Sequence, residues 1–292
     1  MLNKNIVFLC LCAALGFAGP AMSAESKTKN PLAGSKEPIS IEAASQLEWL
    51  RAENKYRATK DVVITQGKTI IRGDTAEALY DPIQGPSALT EVVLNGHVTI
   101  EQEGRMARAD KAVYDTSKQR ITLSGGTVTL TAPGFSVEAN DNVQYFMAEN
   151  KAAATGGVTL TQKEQTLKAQ SATAWFDKDN RLLRANADGN VVMTQNTSEG
   201  KQVAQAQHAR YDAVTAKVLL NGDVRLARGD NFMQGAAATV DLNTGYSSLQ
   251  NDSAGGRVRA VFTPGGGGTA PLPQQAIAVP VVPGKKNPEG AY

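Results

Sequence analysis

Residues 96–102 read GHVTIEQ, residues 156–162 read GGVTLTQ and residues 189–195 read GNVVMTQ. In each stretch a glycine comes before a segment in which apolar and polar residues alternate. Such alternation indicates a β-strand with one buried face and one solvated face. Because one strand cannot bury its own apolar face, these stretches predict a larger set of strands that share an interior.

The same pattern recurs through most of the chain at intervals of 30 to 36 residues. Each strand begins with a valine, and a second apolar residue stands two positions later. These pairs are Val62/Ile64, Val98/Ile100, Val128/Leu130, Val158/Leu160, Val191/Met193 and Val224/Leu226. A repeat of this length that carries strands predicts stacked strand-turn-strand units.

A second alternating strand follows in every repeat, after residues that favour turns. Its buried face pairs a small or β-branched residue with an aromatic one in five repeats, and with valine in the sixth. These pairs are Ala78/Tyr80, Ala112/Tyr114, Val143/Tyr145, Ala174/Phe176, Ala209/Tyr211 and Ala238/Val240. Aspartate follows five of these strands, at Asp81, Asp115, Asp177, Asp212 and Asp241, where we expect it to bond its own backbone as a strand terminator.

The segment at 38–58, PISIEAASQLEWLRAENKYRA, has enough helix formers to suggest a helix. Its apolar residues Ile39, Ile41 and Ala43 alternate, as do Leu47 and Trp49, and this spacing fits strands better. We interpret it as a half-repeat that precedes the first complete one. The repeats therefore predict an elongated all-β protein, either a rolled antiparallel sheet or a β-solenoid.

The two ends of the chain differ from the repeat region in composition. Residues 1–24 carry Lys4 and then an apolar run of about twelve residues, which predicts a secretory signal peptide cleaved after Ser23 or Ala24; an uncleaved anchor is the alternative. Both cysteines lie in that run, so the mature chain has no disulfide. Residues 25–37 are predicted to be a flexible linker, and residues 263–292 a disordered tail rich in Gly and Pro.

Catalytic and metal-binding groups are sparse in this sequence. The only histidines, His97 and His208, fall at positions expected to be outward-facing, and no nucleophile elbow, phosphate loop or metal-ligand spacing is present. We therefore expect no enzyme activity, no cofactor and no metal. A net charge of +2 is too small to indicate a nucleic-acid-binding face.

The predicted interior combines Val, Ile, Leu and Met on one strand of each repeat with Ala and an aromatic residue on the other. Two interpretations follow from this composition. Small residues can interdigitate with large ones at ordinary core density. Alternatively, the alanines leave an apolar trough that a ligand such as an acyl chain fills.

Four segments resemble the LptA/OstA family (organic solvent tolerance-like), which forms the periplasmic lipopolysaccharide transport bridge of Gram-negative bacteria. They are PISIEAASQLEW at 38–49, VVITQGKTIIRGDTAEALYD at 62–81, LNGHVTIEQEGRMARADKAVYD at 94–115 and LNGDVRLARGDNFMQGAAATVDLNTG at 220–245. The resemblance covers roughly residues 38–250. It implies a slightly twisted β-jellyroll over residues 38–262, whose interior shields the acyl chains of lipopolysaccharide.

On this resemblance, the alternating apolar positions become candidate lipid-binding residues. They are Val62, Ile64, Tyr80, Val98, Ile100, Tyr114, Val128, Leu130, Tyr145, Val158, Leu160, Phe176, Val191 and Met193. The resemblance also implies partners that join edge to edge: an inner-membrane LptC-like domain, an outer-membrane LptD-like domain and further copies of this chain. The expected edge-pairing residues are Ile39, Ile41, Ala43, Ala238 and Val240. The alternative is a structural or polysaccharide-binding β-solenoid that carries no lipid.

Overall fold

A computed structural model describes residues 38–179, 181–197, 200–244, 246–251 and 257–263. These residues form eighteen β-strands and two single turns of 3₁₀ helix, Arg51–Glu53 and Met147–Glu149. The strands build a long antiparallel sheet folded as a jellyroll, which confirms the predicted fold class. The predicted signal peptide, the linker and the tail after residue 263 lie outside the described residues.

The strands follow one another along the sheet in almost unbroken chain order. Their bounds are β1 Ile39–Glu42, β2 Gln46–Leu50, β3 Lys55–Gln66, β4 Thr69–Tyr80, β5 Leu89–Gln102, β6 Arg105–Asp115, β7 Arg120–Ser124, β8 Val128–Ala132, β9 Phe135–Ala139, β10 Asn142–Phe146, β11 Lys151–Gln162, β12 Gln165–Phe176, β13 Leu182–Thr197, β14 Gly200–Asp212, β15 Lys217–Arg228, β16 Asn231–Asp241, β17 Ser247–Gln250 and β18 Arg259–Val261.

A bend interrupts the middle of each long strand. In β5 the pairing register shifts between Asn95 and Val98, and in β13 it shifts between Asp188 and Val191. Gly96 has a φ of 76° in the first of these bends, and an added Cβ there would collide with the Asp74 carboxylate. Glycine meets both requirements, since it tolerates positive φ and has no Cβ. The glycine at the start of each quoted stretch therefore marks a bend.

The bends divide the sheet into two layers that face each other across the interior. One layer, here called the valine layer, contains the strand halves that carry Val62, Val98 and their equivalents. The other, the aromatic layer, contains the halves that carry Tyr80, Tyr114 and their equivalents. The side chains at the centre of the valine layer are fully buried, so the two layers enclose a continuous apolar core.

The two ends of the sheet are made by pairs of short strands. Strands β1 and β2 both pair with β3, one in each layer. Strands β17 and β18 pair with β16 in the same way at the other end. Among the described residues, no further strand pairs with the outer sides of these four strands.

This arrangement corrects the predicted C-terminal edge. Ala238 pairs with Leu220 on one side and with Leu249 on the other, while Val240 lies between Val218 and Ser247. The prediction that Ala238 and Val240 are edge-pairing residues is therefore wrong, since β17 and β18 lie outside them. Strands of three and four residues without clear alternation give no usable sequence signal. Ile39 and Ile41 do lie on the N-terminal edge strand, and Ala43 follows it directly.

A duplication underlies the whole architecture. The sequence SIEA at 40–43 recurs as SVEA at 136–139, and AENK at 52–55 recurs unchanged at 148–151, in both cases 96 residues later. The 3₁₀ turns recur at the same offset, with Asn54 and Asn150 in the left-handed conformation after them. We call residues 39–134 the first module and residues 135–230 the second module.

The aspartates that follow the second strands act as predicted. The Asp81 carboxylate accepts a hydrogen bond from the N–H of Ile83 at 2.8 Å, and the Asp212 carboxylate accepts one from the N–H of Thr215 at 2.9 Å. The same contact to a backbone N–H two to four residues later recurs at Asp115, Asp177 and Asp241. These carboxylates end strands, and they do not form a catalytic row.

We expect Asp115→Asn to weaken the fold in a pH-dependent way. The Lys118 ammonium, the Ser117 hydroxyl and the Lys118 N–H hold the pKa of Asp115 well below its usual range. A carboxyl whose pKa is lower in the folded state contributes stability above its unfolded pKa of about 3.9, and this stability is lost as the pH falls towards the folded pKa. The variant should lose about 1 kcal/mol at pH 7 and approach the wild type below pH 4.

Urea denaturation at several pH values measures this difference. The control is Asp230→Asn at an exposed turn, which should change the free energy of unfolding by less than about 0.5 kcal/mol at every pH. An Asp115→Asn difference that stays constant from pH 7 to pH 3 contradicts the assignment.

Candidate functional site

The apolar interior between the two layers is the candidate functional site. Thirteen of the fourteen predicted lipid-binding residues are buried there, and Leu160 is half-buried. The alternation therefore placed the correct face of each strand inwards. Contact between these side chains and lipid remains a prediction.

Inward side chains of neighbouring strands form continuous rows along the sheet. In the aromatic layer one row runs through the first module as Trp49, Tyr56, Ala78, Val92, Tyr114 and Ile121. The row continues through the second module as Tyr145, Ala152, Ala174, Ala185, Tyr211 and Val218. Because the two modules align position by position, differences in side-chain size between them can be read directly.

Two positions of this row carry alanine in the second module and a larger side chain in the first, and one position of the neighbouring row does the same. Ala152 stands where the first module has Tyr56, and Ala185 stands where it has Val92. In the neighbouring row, Leu94 pairs with Ala76 in the first module. The equivalent pair in the second module is Ala187 and Ala172, so an alanine replaces the leucine. Together these replacements remove a phenol ring and several methyl groups from one side of the interior.

A cavity of about 110 Å³ lies at this place in the second module. Its walls are almost wholly apolar and come from both layers. They include Ala152, Ala174, Ala185 and Ala187 from the aromatic layer, and Val158, Leu160 and Met193 from the valine layer. The alanines therefore leave space in the second module, which favours the trough interpretation at this point.

In the first module aromatic rings occupy the corresponding region. The Tyr56 ring stacks on Trp49 at 5.8 Å between centroids and lies 5.5 Å from the ring of Tyr80. The Trp49 indole N–H donates a hydrogen bond to the Tyr80 hydroxyl at 3.1 Å. This packing matches the alternative interpretation at this place in the first module.

Tyr211 brings a polar group to the cavity wall. Its side chain is 4% exposed, and its hydroxyl has no hydrogen-bond partner among the described residues. Burial raises the pKa of Tyr211, with a smaller contribution from Asp212, so the hydroxyl stays protonated and can donate. Burial also raises the pKa of Tyr114, its equivalent in the first module.

A row of polar side chains marks the mouth of the interior on the valine layer. Four residues after the strand valines, glutamine recurs at Gln66, Gln102, Gln162 and Gln195. Gln102 is buried and donates a hydrogen bond to the Thr69 hydroxyl at 3.0 Å. The interior is therefore apolar in depth and polar along this border.

Exposed apolar side chains lie on the N-terminal edge of the sheet. Leu47 is 60% exposed and Trp49 is 45% exposed, whereas their second-module equivalents Val143 and Tyr145 are 3% and 4% exposed. The difference arises because β7 and β8 pair with the outer sides of β10 and β9 inside the chain. The N-terminal edge has the same sequence pattern without that cover.

The described residues carry no assembled catalytic or metal site. His97 and His208 are exposed, as predicted, and contact Asp74 at 2.9 Å and Asp188 at 2.8 Å. The Asp74 carboxylate raises the pKa of His97. No group of three potential metal ligands occurs among the described residues, and none of their helices is long and apolar enough to cross a membrane.

These features define the molecule as an edge-open β-jellyroll with an apolar interior. The profile of the family described as LptA/(LptD N-terminal domain) LPS transport protein matches residues 40–141 and again residues 136–246. The two matches begin 96 residues apart, which is the offset of the duplication. They cover more than half of the chain, and the chain therefore belongs to this family.

Family membership assigns the chain a role in lipopolysaccharide transport, and the family consists of transport components rather than enzymes. Among solved structures, LptH, the LptA homologous periplasmic component of the lipopolysaccharide transport device from Pseudomonas aeruginosa, shares 18% identity with this chain. The alignment covers 44% of this chain and 95% of LptH, with a TM-score of 0.39. No curated protein sequence matches the chain.

We expect Leu130→Ala to destabilise the fold by about 2–5 kcal/mol, the usual effect of truncating a buried leucine. Leu130 lies at the centre of the valine layer, opposite Val137, and is 2% exposed. Glu138→Ala is the control on the adjacent strand, because Glu138 points outwards, and it should change stability by less than about 0.5 kcal/mol. Equal losses in urea denaturation contradict the assignment of faces.

Proposed function

We propose that this protein is a periplasmic bridge component that encloses the acyl chains of lipopolysaccharide between its two layers and passes the lipid from the inner to the outer membrane. The observation that carries the proposal is an apolar interior that continues through both modules. Ile121 and Met147 each pack against the core of both modules, so the junction does not interrupt it. Acyl chains can therefore move along this apolar interior where the two layers separate.

The position of the bends supports lipid entry on the opposite side of the molecule. The chain joins the two layers along the line of bends. On the opposite side each layer ends in its own hairpin turns, such as the turn between Gln66 and Thr69 in the valine layer and the turn between Tyr80 and Leu89 in the aromatic layer. Separation of the layers on this side admits acyl chains while the sugars remain in water.

The polar row at the mouth suits this orientation of the lipid. The amide groups of Gln66 and Gln102 can both donate and accept hydrogen bonds. They lie at the level where an acyl chain leaves the apolar interior and meets its polar linkage to the sugar. The apolar depth and the polar border together match a lipid that is held by its chains.

The internal junction supports edge-to-edge assembly. Inside the chain, β7 and β8 cover β10 and β9, which correspond to β2 and β1 at the N-terminal edge. An uncovered edge with unpaired backbone groups is a template for strand addition. In a head-to-tail contact, β17 and β18 of one copy, or the equivalent strands of an LptC-like or LptD-like partner, would meet β2 and β1 in antiparallel orientation.

A structural jellyroll that polymerises without lipid is the second candidate. The packed rings of Tyr56 and Tyr80 favour it, because they occupy the first module at the place where the second module has its cavity. Native mass spectrometry of protein purified from a Gram-negative host separates the two candidates. Bound lipopolysaccharide supports the carrier, whereas lipid-free polymers support the structural protein.

We expect a photo-crosslinking amino acid at Ile100 or Leu160 to capture lipopolysaccharide in cells. The same group at Thr99 or Thr159 should capture little, since these neighbouring residues point to the outer face. Immunoblots against lipopolysaccharide on the purified adducts measure the difference. Equal capture from both faces contradicts the proposal, because acyl chains would then not be confined to the interior.

We expect Leu47→Glu to reduce association through the N-terminal edge while leaving the monomer folded. The exposed leucine loses its contact with water only when a partner strand covers it, so a carboxylate there opposes pairing. Sedimentation over a concentration series and pull-down of membrane partners measure the loss, which we expect to be at least tenfold in affinity. Ile83→Glu is the matched control, because Ile83 is also exposed but lies in a turn. Unchanged association of the Leu47 variant excludes this edge.

A further inference from the structure

We propose that the two modules have separate roles and that the second module contains the retention site for one aliphatic chain bearing an oxygen atom, bound in the cavity beside Tyr211. This inference deepens the proposed function, on which it rests for its physiological ligand. The same chemistry is present in an acyl chain of lipopolysaccharide and in a free fatty acid. The structure assigns the site to one module because the other fills the equivalent space with its own side chains.

Equivalent interior positions of the two modules differ in side-chain volume. Tyr56 and Leu94 occupy the interior of the first module, whereas Ala152 and Ala187 at the same places leave the cavity open. A folded protein normally fills its core at crystal-like density, and a space larger than a water molecule is uncommon. The first module shows that this framework can be filled by larger residues. The space in the second module therefore results from its smaller side chains, and not from a backbone geometry that larger side chains could not fill.

Tyr211 brings an inward-facing hydroxyl to the cavity wall. A buried hydroxyl without a partner is unfavourable, because it loses its hydrogen bonds to water and gains none in the protein. Thr173 and Asn186 also line the cavity, but they alternate with the inward alanines of the same strands, so their side chains point to the other face. A water molecule needs two to four polar partners to be held in a cavity, and Tyr211 is the inward-facing polar side chain of this lining. An alcohol, ester or carboxyl oxygen on an otherwise apolar ligand satisfies the hydroxyl without further polar groups.

The volume of the cavity limits the length of chain that it can hold. An apolar cavity of roughly 150 Å³ in another protein takes up benzene. The present cavity of about 110 Å³ therefore accepts a segment of a few carbon atoms in the closed state. A longer chain extends between the layers along the interior when these separate. The cavity binds the segment of the chain next to the oxygen atom, whereas the rest of the interior requires only that the chain be apolar.

The first test compares 1-hexanol with benzene on the full secreted chain by isothermal titration calorimetry. Tyr211→Phe removes the hydroxyl and keeps the ring. We expect the affinity for 1-hexanol to fall by roughly 2- to 13-fold, which corresponds to one hydrogen bond, while the affinity for benzene stays the same. The control is Tyr246→Phe, which removes the same hydroxyl from an exposed tyrosine outside the interior and should leave both affinities unchanged.

Thermal unfolding provides a second readout for the same variants. Removal of an unpaired buried hydroxyl should leave the melting temperature of Tyr211→Phe unchanged or raise it. A lower melting temperature together with unchanged 1-hexanol affinity would show that the hydroxyl has a structural partner, and it overturns the inference.

The second test fills the cavity with the residues of the first module. Ala152→Tyr combined with Ala187→Leu copies a packing that the chain already contains. This double variant should retain its fold by circular dichroism and lose at least tenfold in affinity for 1-hexanol and for laurate. A diazirine-labelled laurate should label the second module of the wild type and not of the filled variant. Retained binding, or labelling that is equal in the two modules, overturns the inference.

In cells, capture from Leu160 distinguishes failure of the inference from failure of the proposed function. If the inference holds, the filled variant shows less lipopolysaccharide capture at Leu160 than the wild type. Capture that is equal in the two proteins overturns the inference and leaves the carrier function intact. No capture from any interior position of the wild type overturns the carrier function itself. Laurate binding without lipopolysaccharide capture identifies a free fatty acid as the ligand.

Discussion

The bend in the middle of each long strand is the constraint on which the rest of the structure depends. Side chains alternate along a strand, so one face of each layer must be apolar over its whole length. Because each long strand bends in its middle, the apolar faces of its two halves lie opposite each other. Rows such as Tyr56, Ala78 and Val92 then become walls of a shared interior rather than one side of an open sheet. The folding of one sheet into two layers encloses the apolar interior. It also places the glutamines along the border of that interior and leaves the two ends of the sheet open.

Duplication of the framework has allowed its copies to diverge. The backbone hydrogen bond from Tyr80 to the carbonyl of Asn54 recurs between Phe176 and Asn150, at 3.0 and 2.9 Å. The side chains on this repeated backbone differ in their exposure between the N-terminal edge and the junction of the modules. Leu47 and Trp49 are exposed at one edge while Val143 and Tyr145 are buried at the junction. The same strands thus serve as a potential joint in one module and as an internal seam in the other.

Much of this fold can be predicted from the sequence, because strong alternation fixes both the strands and their buried faces. The placement of Val98, Ile100 and Tyr114 follows directly, as does the role of Asp81 at a strand end. Strands β17 and β18 could not be predicted, since short segments carry too few residues for a period to show. The sequence analysis raised an apolar trough as one interpretation but could not place the cavity, because an inward alanine has the same pattern as an inward leucine. Only alignment of Ala152 with Tyr56 reveals which alanines leave space, and that alignment depends on the pairing of strands.

The covalent junction between the modules changes how a long sheet can come apart. In the part of the chain that the structure describes, each layer contains fourteen strand segments, which at about 4.8 Å per strand span roughly 60 Å. A sheet assembled from single modules would contain an intermolecular joint at every module boundary, and each such joint opens on dilution. Linking two modules in one chain makes every second joint independent of protein concentration. A path of given length then needs half as many molecules and has half as many places where it can break.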